Sequence, residues 1–295
     1  MKVIMEEKIM TVLANKIDFT VILSVTKANP NGDPLGGNRP RQTYDGLGEI
    51  SDVAIKRKIR NRLQDMGENI FVQSQDRSDD GFKSLKERAE SVEELKKIAA
   101  DKKNADTGAF SKLACEQWID TRSFGQVFAF KGLELSVGVR GPVSIQTAVS
   151  IEPITINSMQ ITKSVNSVSS TGRDSDTMGM KHLVDFGLYR FNGSINVQLA
   201  EKTGFTTEDA DKVKEALRTL FENDASSARP EGSMAVEKLY WWEHPSKLGK
   251  ASSAKIHRSI QITKKEDVDN AKSIEDFDIK VQEVEGFKPE EINGI

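Results

Sequence analysis

Apolar and polar residues alternate in the stretch KIDFTVILSV, where Ile17, Phe19, Val21, Leu23 and Val25 fall on one side. A period of two residues is typical of a β-strand with one buried face. The next stretch, TKANPNGDPLGGNRPRQTYDGLGE, is rich in glycine, proline, asparagine and aspartate. We therefore predict a strand that ends in a long loop.

The pattern changes to a helical period in SDVAIKRKIRNRLQDMG. Ser51 is a suitable N-cap, and Gly67 ends the helix. The apolar stripe that would pack on the rest of the fold is formed by Ile55, Ile59, Leu63 and Met66. The other sides of the helix carry five bases, Lys56, Arg57, Lys58, Arg60 and Arg62. The pattern predicts an amphipathic helix that is apolar on one side and basic on the rest.

Further alternating runs predict strands in LELSVGVRG, LYRFNGSINVQL, MAVEKLYWW and FDIKVQEV, and VSIQTAVSIEPITINSMQIT is long and favours β-structure. TTEDADKVKEALRTLFEND predicts a second amphipathic helix. Residues 73–130 form an insertion with a charged helix, and KSVNSVSSTGRDSDTMGM is an exposed excursion between strands. Without these two, the order is β–α–β–β–β–α–β. This order predicts an α+β chain similar to a split βαβ, or ferredoxin-like, core, which is also the scaffold of the RNA recognition motif (RRM).

Charge is distributed unevenly along the chain, although the net charge of −3 is small. Residues 38–62 carry seven bases against three acids, a balance of +4, whereas residues 264–295 carry five bases against ten acids, a balance of −5. A basic helix face is most often merely solvated. The glycine- and arginine-rich loop directly before this helix favours a polyanion instead, above all a nucleic-acid backbone. The two ends of the chain could also complement each other between neighbouring copies.

Composition excludes several other classes of protein. The single cysteine, Cys115, excludes an intrachain disulfide and a cysteine-cluster metal site. Three scattered histidines do not indicate zinc, so we predict neither a metal nor a cofactor. No apolar run approaches the roughly 18–20 residues of a membrane span. Charges near the N-terminus argue against a signal peptide, and we expect a cytoplasmic protein without a membrane partner.

Five stretches resemble one known family when they are taken in order. They are NPNGDPLGGNRPR, SDVAIKRKIRNRL, DTRSFGQVFA, GPVSIQTAVSIEPI and DTMGMKHLVDFGLYRFNGSINV. Together they are similar to the backbone subunit of the type I CRISPR interference complex, Cascade, a member of the RAMP superfamily. The similarity is greatest to the type I-C and I-B branch. It spans about residues 17 to 245, and the long strings in the first and last blocks make it specific.

The resemblance implies an RRM-like palm at 17–245. A mainly helical finger would be inserted at about 73–130, and a protruding thumb would lie at about 157–185. Residues 1–16 would be an N-terminal extension, and the acidic residues 246–295 a C-terminal segment packing on the palm.

The resemblance also implies a scaffold and not an enzyme, with no catalytic residues. Several copies would polymerise in a helical filament along one CRISPR RNA and present its bases for pairing with target DNA. Other partners would be the RNA-processing, large and small subunits of the complex, together with a recruited helicase-nuclease that cuts the target.

Candidate RNA contacts follow from this resemblance and from side-chain chemistry. Bases on the first helix and its loop can hold phosphates without reading sequence, and glycines 32, 36 and 37 would let the backbone approach the RNA. In the thumb, Met159 or Met178 would wedge beside a displaced base. The predicted RNA-binding residues are Arg39, Arg41, Lys56, Arg57, Lys58, Arg60, Arg62, Gln146, Lys163, Arg173, Met178, Lys181 and His182.

Two alternatives remain open at this point. Asp33 lies in the loop after the first strand, where related type III subunits place an aspartate that cuts target RNA, so a metal-dependent endoribonuclease is one alternative. The other is a stand-alone module that binds single-stranded RNA at a fixed footprint. The run Tyr240, Trp241, Trp242 could stack on bases, but alternation puts Trp241 on the opposite side from its two neighbours.

Overall fold

The computed structural model describes residues 11–101, 105–130, 135–162 and 178–295. Its strands are β1 (Ile17–Ala28), β2 (Gly32–Asp33), β3 (Arg39–Pro40), β4 (Leu47–Ile50), β5 (Gly125–Phe128), β6 (Val137–Arg140), β7 (Val143–Ile145), β8 (Ala148–Pro153), β9 (Ile156–Thr162), β10 (Met178–Ile195), β11 (Met234–Glu243), β12 (Ile260–Lys264), β13 (Phe277–Val281) and β14 (Glu290–Asn293). Its helices are α1 (Asp52–Asp65), α2 (Leu85–Glu90), α3 (Glu93–Ala100), α4 (Thr107–Gln117), α5 (Ile119–Phe124), α6 (Val197–Thr203), α7 (Thr207–Arg218) and α8 (Ser253–Arg258).

A central antiparallel sheet organises the fold. Its strands lie in the order β14–β11–β1–β10–β8–β4, and β7 and β9 pair with further parts of the long strand β10. Every pairing in it is antiparallel. The prediction of a mixed α/β chain is confirmed at this level.

The central strand β1 is buried on both faces, so the expectation of a half-buried strand is wrong. Phe19, Val21 and the other predicted apolar positions face α1 and α7, in one large core. Ile22, on the opposite face, packs with Trp242 and with residues of α8, β12 and β13. Tyr240 also lies in that second layer, whereas Trp241 faces the helices. The alternation predicted for the aromatic run is confirmed, and both of its sides are core.

Asp18 of β1 is polar, yet it lies beneath the second layer, where a buried network of hydrogen bonds pairs it. Asp18 is fully buried, and its Oδ2 accepts hydrogen bonds from Lys16 Nζ and His244 Nε2, both at 2.9 Å. The backbone N–H of Lys250 donates to Nδ1 of His244 (2.9 Å), which requires the proton on Nε2. Nε2 of His257 donates to the carbonyl oxygen of Gly193 (3.1 Å). Because buried charge must be paired, this network ties the C-terminal segment to the central strand.

A second hydrophobic core lies apart from the sheet. It is built around Phe71, Phe110 and Phe128, and the ring centroid of Phe128 lies 5.0 Å from that of Phe71 and 5.2 Å from that of Phe110. The side chain of Arg88 is nearly buried beside this core, where it donates to the carbonyl oxygen of Phe71 (2.9 Å) and pairs with Asp80. The insertion therefore has an interior of its own.

Two predicted elements differ in their bounds. The strand predicted to continue through Leu199 ends at Ile195, because Asn196 caps α6 by accepting a bond from the backbone N–H of Leu199 (2.9 Å). The single charged helix predicted in the insertion is two helices, α2 and α3, with Ser91 between them. Among the described residues, no helix has the length and apolar character needed to cross a membrane.

We expect acid to destabilise the fold through His257. Burial lowers the pKa of His257 below its ordinary value near 6.5. A group with a depressed pKa contributes stability above its unfolded-state pKa, and this contribution is lost as the pH falls from that value through the lower folded-state pKa. Melting temperatures should therefore fall by on the order of 2 °C or more between pH 7.5 and 5.5. His257→Gln, which keeps a donor for Gly193, should flatten this dependence; an unchanged slope in that variant would contradict the assignment.

Candidate nucleic-acid interface

Helix α1 begins where the sequence predicts. Ser51 Oγ accepts a bond from the backbone N–H of Ala54 (3.3 Å), and Ile55, Ile59 and Leu63 are buried against the sheet. The helix is thereby fixed with its remaining sides turned toward the insertion, the end of α7 and solvent.

The five bases of α1 have different surroundings. Lys58 is only 6% exposed, pairs with Asp224 and lies over the ring of Phe221. Arg60 Nε donates to Asp120 Oδ2 (2.9 Å), and that carboxylate also accepts from the backbone N–H groups of Phe71 and Val72. An RNA contact by Lys58 or Arg60 stays a prediction, and it would use charges that the protein already neutralises.

The other three bases of α1 are more accessible. Lys56 pairs with Asp52 (3.0 Å), one turn before it. Arg62 Nε donates to Thr219 Oγ1 (2.7 Å). The bond that the structure shows for Arg57 goes to a neutral group, the carbonyl oxygen of Val72 (2.6 Å).

Arg57 and Lys58 line an open cavity of about 640 Å³ beside α1, which we call the cleft. Its walls come from residues 30–32, from α1, from residues 74–77 and from residues 223–229. Four bases line it, Arg57, Lys58, Arg77 and Arg229, against two acids, Asp76 and Asp224, so its balance is 4 − 2 = +2. A cavity of this charge suits a phosphate-bearing ligand.

Sequence reasoning missed Arg77 and Arg229. Neither belongs to a run of bases, and only the packing of residues 74–77 and 223–229 against α1 brings them to the cleft. Arg77 is held there by Asp65 (2.6 Å). Burial, and next the charge of Arg60, lower the pKa of Arg57, and burial lowers the pKa of Lys58 to about 8. The positive charge of the cleft will therefore decline first at Lys58 as the pH rises.

The glycine loop, residues 30–41, begins at the cleft and reaches strand β9, which Arg39 contacts. Asp33 organises its turn: Oδ1 accepts from the backbone N–H of Leu35 (3.2 Å) and lies 3.5 Å from Arg41 Nη2. A Cβ on Gly32 would fall 1.9 Å from the side-chain oxygen of Asn38, so glycine is required there by the loop itself. Within the described parts of the chain, no group of three or more His, Cys, Asp or Glu residues is placed to hold a metal ion.

Beyond the loop lies a two-stranded ribbon of β9 and β10, which we call the hairpin. Arg39 Nη1 donates to Ser158 Oγ (3.0 Å), which lies 2.8 Å from His182 Nδ1. Ser158 is paired in register with His182, and Met180 with Gln160, so these side chains share one face of the hairpin. Met178 is on the same face. The structure thus brings together three predicted residues, Arg39, Met178 and His182.

Met180 was missed by sequence reasoning, although its spacing of two residues from Met178 and from His182 could have indicated it. Met178 and Met180 are 62% and 55% exposed. Lys181 pairs with Met159 on the opposite face of the hairpin, so these two are separated from that group.

Three more predicted residues lie elsewhere. Gln146 accepts a bond from Asn192 Nδ2 (2.9 Å), and Asn192 is ten residues along β10 from His182, roughly 30 Å at the rise of a β-strand. The structure does not bring Gln146 to the hairpin group. Lys163 and Arg173 fall outside the described residues.

Comparisons with known proteins give one family. The family described as "CRISPR-associated protein Cas7" matches residues 15–282. A protein of Haloferax volcanii named "CRISPR-associated protein Cas7" is 27% identical over 232 residues, which cover 72% of this chain and 66% of the relative's own length. Chains of two solved structures are similar. One, titled "CRISPR RNA-guided surveillance complex, pre-nicking", has a TM-score of 0.46 at 14% identity and covers 77% of each chain. The other, titled "CRISPR RNA-guided surveillance complex", has a TM-score of 0.43 at 17% identity and covers 77% of this chain and 68% of its own.

We expect Arg60 to act mainly in stability. Arg60→Gln leaves the buried carboxylate of Asp120 without its charged partner and should lower the free energy of unfolding by about 3 kcal/mol. Chemical denaturation measures this loss. The control is Arg39→Gln, at an exposed position, which should change stability by no more than about 0.5 kcal/mol. Equal small losses in both variants would show that the Arg60–Asp120 pair does not hold α1 to the insertion.

Proposed function

The chain belongs to the Cas7 family of CRISPR-associated proteins, and on that premise we propose that it is a CRISPR RNA-binding backbone subunit of a type I, Cascade-type surveillance complex. Copies of it polymerise along one guide RNA, hold the backbone of that RNA, and leave the guide bases free to pair with target DNA. Within type I, the resemblance of its motifs favours the I-C or I-B branch. Its further partners are the RNA-processing, large and small subunits and a recruited helicase-nuclease.

The order of elements supports an RRM-like palm. The chain runs β1–α1–β8–β10–α7–β11, and these four strands lie side by side as β11–β1–β10–β8. This is the βαββαβ arrangement of the ferredoxin-like fold. The second core supports a finger inserted at about 73–130, and the hairpin supports a thumb at about 157–185.

An RRM binds single-stranded RNA on the open face of its sheet. In this chain that face is covered: Tyr240 and Trp242 are 2% and 0% exposed beneath the C-terminal segment. RNA must therefore use another surface. The surface that we propose runs from the cleft along the glycine loop, through Arg39, to the hairpin face that carries His182.

One observation carries the proposal: Arg39 joins the glycine loop to the hairpin through Ser158, next to His182. Three predicted contacts from two distant parts of the sequence, Arg39 on one side and Met178 and His182 on the other, thereby lie close together. Arginine and lysine bind phosphates whatever the base, which suits a protein that must accept any guide. The exposed methionines of that face, Met178 and Met180, offer flexible apolar contact beside an unstacked base.

The number of bound copies should increase with RNA length. Native mass spectrometry of the purified chain with single-stranded RNAs of increasing length measures this directly. A filament subunit adds copies in regular steps, and the step gives its footprint. One copy at every length would favour the stand-alone RNA-binding module. Mg²⁺-dependent cleavage of a paired RNA, lost in Asp33→Ala, would favour the endoribonuclease.

Arg39→Gln should weaken RNA binding equally for all sequences. If Arg39 holds one phosphate, the plot of log affinity against log salt concentration should flatten by about 0.7 for single-stranded RNA. Fluorescence anisotropy with two guides of unrelated sequence measures both quantities. The matched control is Lys247→Gln, because Lys247 pairs with Glu201 outside the proposed surface. A loss confined to one guide sequence, or an equal loss in the control, would contradict the phosphate contact.

A further inference from the structure

The carboxylate of Asp224 lies in the cleft and is paired with two of the bases that line it. Asp224 accepts from Lys58 Nζ and from Arg229 Nε (3.1 Å), so two of the four cleft bases share one anion. Its side chain is 13% exposed, against 6% for Lys58 and 28% for Arg229. Asp224 therefore lies between a buried base and one that solvent reaches.

The loop that carries Asp224 is fixed at both ends. Arg77 donates to the carbonyl oxygen of Asn223, and the backbone N–H of Asn29 donates to the carbonyl oxygen of Ala228 (2.8 Å). Ser226 and Arg229 exchange two backbone bonds of 2.8 and 3.0 Å. This turn brings Arg229 back over Asp224, so the pairing is part of the loop's own geometry.

We propose that Asp224 is a built-in competitor for the phosphates of a bound RNA. This inference rests on the proposed function of the cleft. In the free protein the carboxylate holds Arg229; in the complex a phosphate of the strand takes over Arg229, while Lys58 stays paired with Asp224. Arg229 is the exchanging partner because it is the more exposed of the two and because its guanidinium can bind a phosphate through two parallel N–H groups.

The consequence is weaker retention of short polyanions. A ligand that offers one phosphate gains little by displacing a carboxylate of the same charge. A long strand also contacts the glycine loop and the hairpin, and these contacts are not opposed by Asp224. The competitor lowers the affinity of every strand that contacts Arg229 by the same factor, but only a long strand keeps enough other contacts to remain bound.

The test is Asp224→Asn, which keeps the size of the side chain and removes its charge. Anisotropy is measured with a short and a guide-length single-stranded RNA over a range of NaCl concentrations. We expect affinity for the short RNA to rise about two- to fivefold, the gain of freeing one exposed ion-pair partner. The salt dependence should keep its slope, because a phosphate contacts Arg229 in the complexes of both proteins.

Two further variants separate the exchange from a change of net charge or fold. Glu222→Gln removes the same charge two residues away at an exposed position that does not line the cleft, and it should leave binding unchanged. Lys58→Met with Asp224→Asn removes the buried base together with its partner and should keep the gain, because Arg229 is still free. Asp224→Asn with Arg229→Gln should lose it.

The proposal is wrong if Asp224→Asn with Lys58→Met folds with a native melting curve and binds short RNA no better than the wild type. An equal gain in Glu222→Gln would also overturn it, since net charge alone would then explain the effect. Neither result contradicts the proposed backbone function, provided that copies of the wild type still add in regular steps along RNA. The absence of such steps would remove the proposed function itself.

Discussion

Lys58 and Arg60 can pack against the rest of the chain because acids from distant parts of the sequence neutralise them. An unpaired charge in the interior costs several kcal/mol, so the docked position of α1 depends on these pairs. Asp120 reaches Arg60 from the insertion, and Asp224 reaches Lys58 from the loop after α7. These pairs fix the insertion and the loop against one helix. The cleft is the space left between the three, and it exists because of this pairing.

The same helix therefore serves two purposes with one kind of residue. Lys58 and Arg60 hold other parts of the chain against it, and Arg57 and Lys58, with Arg77 and Arg229, give the cleft its positive balance. Buried bases keep a fixed position but lose strength as charges, as the lowered pKa of Lys58 shows. An arginine such as Arg57, which donates to a backbone carbonyl oxygen, keeps N–H groups for a ligand.

Closure of the second sheet face decides where a ligand can bind. The Asp18 network draws the C-terminal segment onto the sheet and covers the aromatic run that would otherwise be available for base stacking. The surface that we propose for RNA includes the end of the sheet, where β10 continues beyond β1 and pairs with β9. Arg39 bridges from the glycine loop to this hairpin. In the proposed function, this surface takes the place of the covered sheet face.

Local sequence determined the elements of the fold. The alternation in β1, the Ser51 cap, the stripe of α1 and the opposite sides of Tyr240 and Trp241 all depend on neighbours within a few residues, and each is present as predicted. Motif order also led to the family. The sequence could not determine that Lys58 is buried and that Arg60 is held by a buried carboxylate, because both contacts depend on acids that are distant in the chain. Their partners lie 166 and 60 residues away. Only the tertiary structure brought Arg77 and Arg229 to the cleft and placed Arg39 against Ser158, next to His182. Long-range packing and strand register decide these positions, and neither leaves a local pattern in the sequence.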